Sequence, residues 1–196
     1  MLTWQADGGR GLEGTRLVLG AGGLRALGRM VRVHPEAEFT SSYRLVVGED
    51  GTVQRVSVTC ATAQRERHLT INRTEDGYWL LDTGAGGTRS ELAHAVDVQL
   101  DHSPAFVALP VRRLGLHRTA GEHTLAVVRV SLPELEVSTL ELTYRTVSVL
   151  DGSGHALVEL TSAEESVELV VDEDGFVLSH PGHATRVRPG AVPAVT

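Results

Sequence analysis

A period of two in the apolar residues, broken at intervals by Asp-Gly, constrains this chain more than any other feature. Over residues 53–60, Val56, Val58 and Cys60 take one side while Arg55, Ser57 and Thr59 take the other. Leu69 and Ile71 alternate with His68, Thr70 and Asn72. Val96, Val98 and Leu100 alternate with Asp97, Gln99 and Asp101, and Leu140, Leu142 and Tyr144 with Glu141, Thr143 and Arg145. Val167, Leu169 and Val171 continue the theme. Such alternation marks antiparallel strands with one face on a core and one toward water. Asp50-Gly51, Asp76-Gly77, Asp151-Gly152 and Asp174-Gly175 each stand between two such segments, where a glycine at φ > 0 closes a hairpin. After Tyr144 the apolar phase moves to odd positions at Val147, and one bulged residue there would restore the pattern and bend the strand. Bent strands curl a sheet toward a barrel.

Little competes with this reading. Residues 12–33 hold Gly14, Gly20, Gly22, Gly23 and Gly28, which a helix interior tolerates badly, so they read as two strands joined near Ala21-Gly22-Gly23. Residues 83–90 read as a flexible glycine-containing loop, and residues 89–94 have room for one short turn. The expected fold is all-β with minor α: a single curled antiparallel sheet forming an open or split barrel. One domain spans 1–188, and 189–196 form a frayed tail.

Charge and composition narrow the function classes. Twenty-five acids against 18 basic residues, every one of them arginine, leave a net charge of −7. That balance argues against a broad nucleic-acid face, which needs basic residues to neutralise phosphates. Aromatics are only 4%, too few for a single-strand stacking platform. The single cysteine, Cys60, excludes an intrachain disulfide and alternates with Val56 and Val58 as a small buried hydrophobe would. No run of apolar residues is long enough to span a bilayer, and the N-terminus has no signal-peptide pattern, so a cytoplasmic address is expected.

The candidate chemistry gathers in residues 94–114. There an alternating strand meets a Ser103-Pro104 turn, and residues 105–114 read as a second apolar strand tipped by Arg112 and Arg113. Asp97, Gln99 and Asp101 share a strand face, with roughly 13 Å between the two aspartates. That separation is too wide to presume a glycosidase pair. The face is either solvated or the polar wall of a cavity. Adjacent arginines on a strand point to opposite faces. An inward one needs a carboxylate, with Asp97 and Asp101 the natural partners, or else an anionic ligand. His94 and His102 flank the acidic strand, where pH-sensitive pairing with Asp101 is favoured over metal ligation. His180 and His183 bracket a Pro-Gly turn, but the nine histidines include no metal-ligand spacing. No metal or cofactor is expected. Gly20-Ala21-Gly22-Gly23 lacks the lysine and helix of a phosphate loop, and no nucleophile motif occurs.

At these residues the chain resembles the bacterial family called "putative glycolipid-binding". The resemblance rests on Val96 to Asp101, Ser103-Pro104, and Leu109-Pro110-Val111-Arg112-Arg113-Leu114. Two further blocks agree: Leu132-Pro133-Glu134-Leu135 on to Leu140 and Tyr144, and Val171 to Val177 with Pro181-Gly182 beyond it. The chain departs from the family pattern at Val107, Leu142 and His180, where Asn, Gln and Tyr stand in that pattern. The resemblance implies a sheet curled like the lipoprotein-carrier half-barrels and an amphipathic ligand, in a greasier pocket than its relatives offer. It places Asp97, Gln99, Asp101, Val107, Arg112, Arg113, Leu142 and Tyr144 around that ligand.

Three functions are compatible with these residues. The first is a non-enzymatic carrier that buries an acyl chain between sheet faces, consistent with residues 125–130 being apolar on both sides. The second is an enzyme on such a ligand with Asp97 or Asp101 as acid or base. The third is an interaction module, a homodimer through a flat apolar sheet face.

Overall fold

The computed structural model describes residues 1–33, 38–84 and 86–187, and the tail expected to fray lies outside them. Among the described residues fifteen strands form one sheet. The first limb comprises β1 (Leu2–Ala6), β2 (Gly11–Gly20), β3 (Gly23–Val33), β4 (Glu38–Val47) and β5 (Val53–Ala61). It continues through β6 (Glu66–Arg73), β7 (Trp79–Asp82) and β8 (Gly87–Ser90). After β9 (Asp97–Leu100) the chain forms helix α1 (Pro104–Arg113). The second limb is β10 (Glu122–Val130), β11 (Val137–Ser148), β12 (Ala156–Thr161), β13 (Ser166–Val171), β14 (Val177–His180) and β15 (Ala184–Arg186). The order is 8-7-6-5-4-3-2-1-15-14-13-12-11-10-9, antiparallel except for the parallel β9–β10 pair, and the sheet is not closed into a barrel.

The turn chemistry explains the meanders. Gly51, Gly77 and Gly175 take φ of 79°, 85° and 78° in their hairpins, as an Asp-Gly turn requires. In the hairpin after β11 the left-handed position falls on Gly154 (φ 76°) rather than Gly152, while the Asp151 carboxylate accepts from the Ser153 N–H at 2.8 Å. The register of β11 against β12 skips Val147, between Thr146 and Ser148, so the bulge lies where the phase change placed it. Residues 12–33 form β2 and β3 across the Ala21-Gly22 turn. Residues 87–90, expected as loop, instead pair with β7 as a strand.

The larger correction concerns residues 105–114. They are not a second strand but α1. Consecutive apolar residues fit a wholly buried helix as well as a strand covered on both faces, and periodicity alone does not separate the two. Local chemistry decides it. Ser103 is extended (φ −103°, ψ 104°) at the cap position, and Pro104 starts the helix where its missing N–H is no loss. Arg112 and Arg113 then fall in the last turn, where positive charge suits the helix dipole.

Helix α1 occupies the inside of the curl, and Pro104 to Val111 are all buried there. The Phe106 ring meets Tyr43 of β4 edge-on at 5.0 Å. From the other limb, the Tyr144 hydroxyl of β11 reaches the Val107 carbonyl at 3.5 Å. The space between sheet faces that was expected to hold an acyl chain is therefore taken by the helix. The C-terminal half of β10 is covered on both sides as well. Val127 and Asp97 share one face of the β9–β10 pair, Val98 and Val128 the other, and none is more than 1% exposed. The Val53 N–H donates to the Val96 carbonyl and the Trp79 indole to the Ala95 carbonyl, tying the approach to β9 onto the first limb.

Candidate functional site

Each end of α1 meets a polar group. At its N-terminal end, β2 turns Glu13 inward, where the carboxylate is fully buried. Glu13 Oε1 accepts from the Tyr43 hydroxyl at 2.5 Å and from the Ser103 hydroxyl at 2.6 Å. Thr15 adds a longer bond at 3.3 Å. Glu13 Oε2 and Arg32 Nε have no partner among the described residues. Burial outweighs these donors and the nearby Arg32 charge, and pushes the Glu13 carboxyl up to about 7. Tyr43 reaches Glu13 because Gly28 of β3 leaves room: a Cβ there would stand 2.0 Å from the Tyr43 ring.

At the C-terminal end the adjacent arginines diverge, as neighbours on a helix do. Arg113 turns to β9, donating from Nε (3.2 Å) and Nη2 (2.5 Å) to Asp97, which is fully buried. Burial raises the Asp97 carboxyl above its ordinary range, and Arg113 offsets only part of that rise. The stem of Arg113 lies under the β4–β5 hairpin, 2.8 Å from where a Cβ of Gly51 would stand. Arg112 turns the other way, to the Asp174 carbonyl of the β13–β14 hairpin, with its guanidinium 4.3 Å from the Phe176 ring centroid.

Between this helix end and the β2–β3 and β4–β5 turns lies a cavity of about 310 Å³. Leu19, Leu24, Val47 and Leu109 supply its apolar walls; Glu49, Asp50, Arg112 and Arg113 supply charge. Asp50 is held below the usual carboxylate range by hydrogen bonds from the Thr52 backbone and hydroxyl. It is therefore an acceptor rather than an acid.

Of the eight residues singled out by sequence, only Arg112 and Arg113 line this cavity. Asp97 is sealed beneath Arg113, and Asp101 pairs with Arg129 at 2.8 Å. Gln99 lies on the same face of β9, between the two aspartates and half-buried. Val107, Leu142 and Tyr144 are packed in the core. His180 and His183 stack with ring centroids 4.1 Å apart, and His183 bonds Glu165 at 2.9 Å. No group of three or more His, Cys, Asp or Glu gathers into a metal site among the described residues. Cys60 is buried, which pushes its thiol up to about 11.

Sequence reasoning missed Glu13 and the cavity's walls, although a signal existed. A two-residue turn at Ala21-Gly22 fixes the β2–β3 register and pairs Glu13 with Met30, on the buried face of β3. The walls come from hairpin tips distant in sequence, for which no local pattern exists.

A curled sheet with its interior filled by a helix defines a β-barrel-like protein. More particularly, the chain belongs to the family described as "Putative glycolipid-binding", which matches residues 1–186. Among solved structures it is similar to a DUF1089 family protein from Pseudomonas aeruginosa, at 22% identity and a TM-score of 0.69. That alignment covers 89% of this chain and 92% of the other. It is also similar to a β-barrel-like protein of domain of unknown function DUF1849 from Brucella abortus, at 10% identity and a TM-score of 0.53. There the coverage is 95% of this chain and 94% of the other. At these identities the likeness is one of fold. No relative is found among the curated proteins. Among the described residues no helix is long and apolar enough to cross a membrane.

Proposed function

We propose that this protein binds an amphipathic, glycolipid-type molecule whose headgroup sits at the arginine-bearing end of α1. The observation that carries this reading is the cavity itself. It sets the apolar side chains Leu19, Leu24, Val47 and Leu109 beside an ionised carboxylate, Asp50, and the guanidinium of Arg112. Arg112 forms no ion pair with a carboxylate among the described residues, so its remaining N–H groups are available to hydroxyl or phosphate oxygens. Sugars present apolar ring faces edged with hydroxyls, and this wall offers both surfaces. A volume of about 310 Å³ stands at the small end of ligand pockets and suits a headgroup, with the lipid tail outside the filled curl.

Binding fits better than turnover. Asp97 is sealed by Arg113, and Asp101 is committed to Arg129. The carboxyl with a pKa near neutral, Glu13, lies at the opposite end of α1 from the cavity and is fully buried. The experiment is native mass spectrometry of protein purified without detergent, then organic extraction. The expected result is a stoichiometric lipid adduct, lowered at least about tenfold in occupancy by Leu19→Trp. Leu19 lines the cavity yet is 48% exposed, so the larger side chain fills the space at little cost to folding. A clean unliganded mass after incubation with a total lipid extract would sink the proposal.

A further inference from the structure

The face of β2–β5 turned away from α1 is assigned no role by the cavity. Its side chains form cross-strand rows. One runs Val18, Arg25, Val46, Arg55, and the next runs Arg16, Leu27, Arg44. A third places Arg29 beside Ser42 and Thr59, and a fourth places Leu12 beside Val31 and Thr40. Five arginines thus alternate with aliphatic side chains, against a single carboxylate among the described residues of β2–β5 on this face, Glu38 at the start of β4. None of the five has an ion-pair or hydrogen-bond partner among the described residues. Leu12, Leu27 and Val31 are 51%, 47% and 52% exposed, high for aliphatic strand residues. A groove of about 660 Å³ runs over this face, lined by Leu12, Arg16, Leu27, Arg29, Val31 and Arg44 among others. All this stands on a chain whose net charge is −7.

We infer that this face docks on an anionic phospholipid bilayer. Charge complementarity supplies the argument: unpaired arginines concentrated on one face of an acidic protein attract a negative surface. The aliphatic side chains between them choose the occupant. At the headgroup boundary, arginine heads meet phosphates while their stems and the neighbouring Leu and Val enter the acyl edge, so both halves of the pattern are satisfied. The outer face of the second limb carries Glu141, Glu159 and Glu168, which makes a second copy of this chain the competing occupant.

The test is cosedimentation with phosphatidylcholine vesicles with and without phosphatidylglycerol, free of any glycolipid. Wild-type protein is expected to partition onto the phosphatidylglycerol vesicles alone, and less as salt is raised. The triple variant Arg16→Gln, Arg29→Gln, Arg44→Gln should lower partitioning by roughly a hundredfold. Its melting temperature should be unchanged, because these side chains are exposed. Leu19→Trp should partition as wild type, so loss of the cavity ligand and loss of docking are separate results. Equal binding to neutral vesicles, no partitioning at low salt, or full partitioning of the triple variant would overturn the inference. So would self-association in sedimentation velocity that the triple variant abolishes while neither protein binds vesicles.

Discussion

Glu13 shows how a single buried carboxyl makes stability depend on pH. Its folded pKa is raised from 4.5 to about 7, chiefly by burial, so the folded state holds the proton more tightly than the unfolded chain does. The associated stability is complete below pH 4.5 and is lost as pH rises through about 7, a change of roughly 3 kcal/mol. His180 acts in the opposite sense. Burial, with His183 beside it, lowers its pKa to about 3, so its contribution is complete above 6.5 and falls away in acid. The two windows overlap, and a variant is needed to separate them. Glu13→Gln keeps the oxygen that accepts from Tyr43 and Ser103 but removes the titration. The wild-type minus variant difference in unfolding free energy, from urea melts between pH 4.5 and 8, should decline as pH rises. A flat difference would mean that Glu13 is ionised throughout that range.

At the scale of elements, the last turn of α1 sends two neighbouring side chains to different places: Arg113 to β9 and under the β4–β5 hairpin, Arg112 to the β13–β14 hairpin. Asp97 depends on this. With its carboxylate fully buried and Arg113 only 15% exposed, the pair is costly to break and cheap to replace together. Arg113→Met should destabilise by about 3–5 kcal/mol at neutral pH, and by less in acid where Asp97 takes up a proton. Adding Asp97→Asn should restore most of the loss, so a denaturant double-mutant cycle should show strong coupling. Independent, additive losses would mean that the pair carries no net interaction. This ion pair was legible in the sequence as one of two open alternatives, although it joins a helix to a strand and not two strands. The hairpins were legible because Asp-Gly turns and alternation are local signals, as at Asp50-Gly51 and Asp174-Gly175. The helix was not, since an apolar run from Ala105 to Val111 has neither period and its burial comes from both limbs of a sheet that folds around it. The cavity was illegible for the same reason. Gly20, Gly51 and Arg112 meet only once the curl exists.

The whole molecule has one seam. Every neighbouring pair of strands is consecutive in the chain except β1 and β15, where the first strand meets the last. Two meanders are thus held in one sheet by three registered residue pairs: Trp4 with Arg186, Gln5 with Thr185 and Ala6 with Ala184. Trp4 is the anchor of that seam. It is fully buried, and its indole N–H donates to the Val177 carbonyl of β14 at 2.8 Å. The Arg186 guanidinium lies 5.5 Å from its ring centroid. No local pattern signals such a contact, because its partners lie more than 170 residues apart. Trp4→Phe keeps most of the packing and loses the hydrogen bond, so a loss of about 1–2 kcal/mol is expected. Trp4→Ala should cost about 3–5 kcal/mol and strike the link between the limbs. Helix α1 still touches both limbs, through Phe106 on one side and Tyr144 on the other, so the curl is held twice. Amide exchange read by mass spectrometry separates the two holds. In Trp4→Ala, β1, β14 and β15 should lose protection while α1 and β4 keep theirs. Loss of protection everywhere at once would show instead that the seam and the helix form one cooperative unit, and that the two limbs have no stability apart from each other.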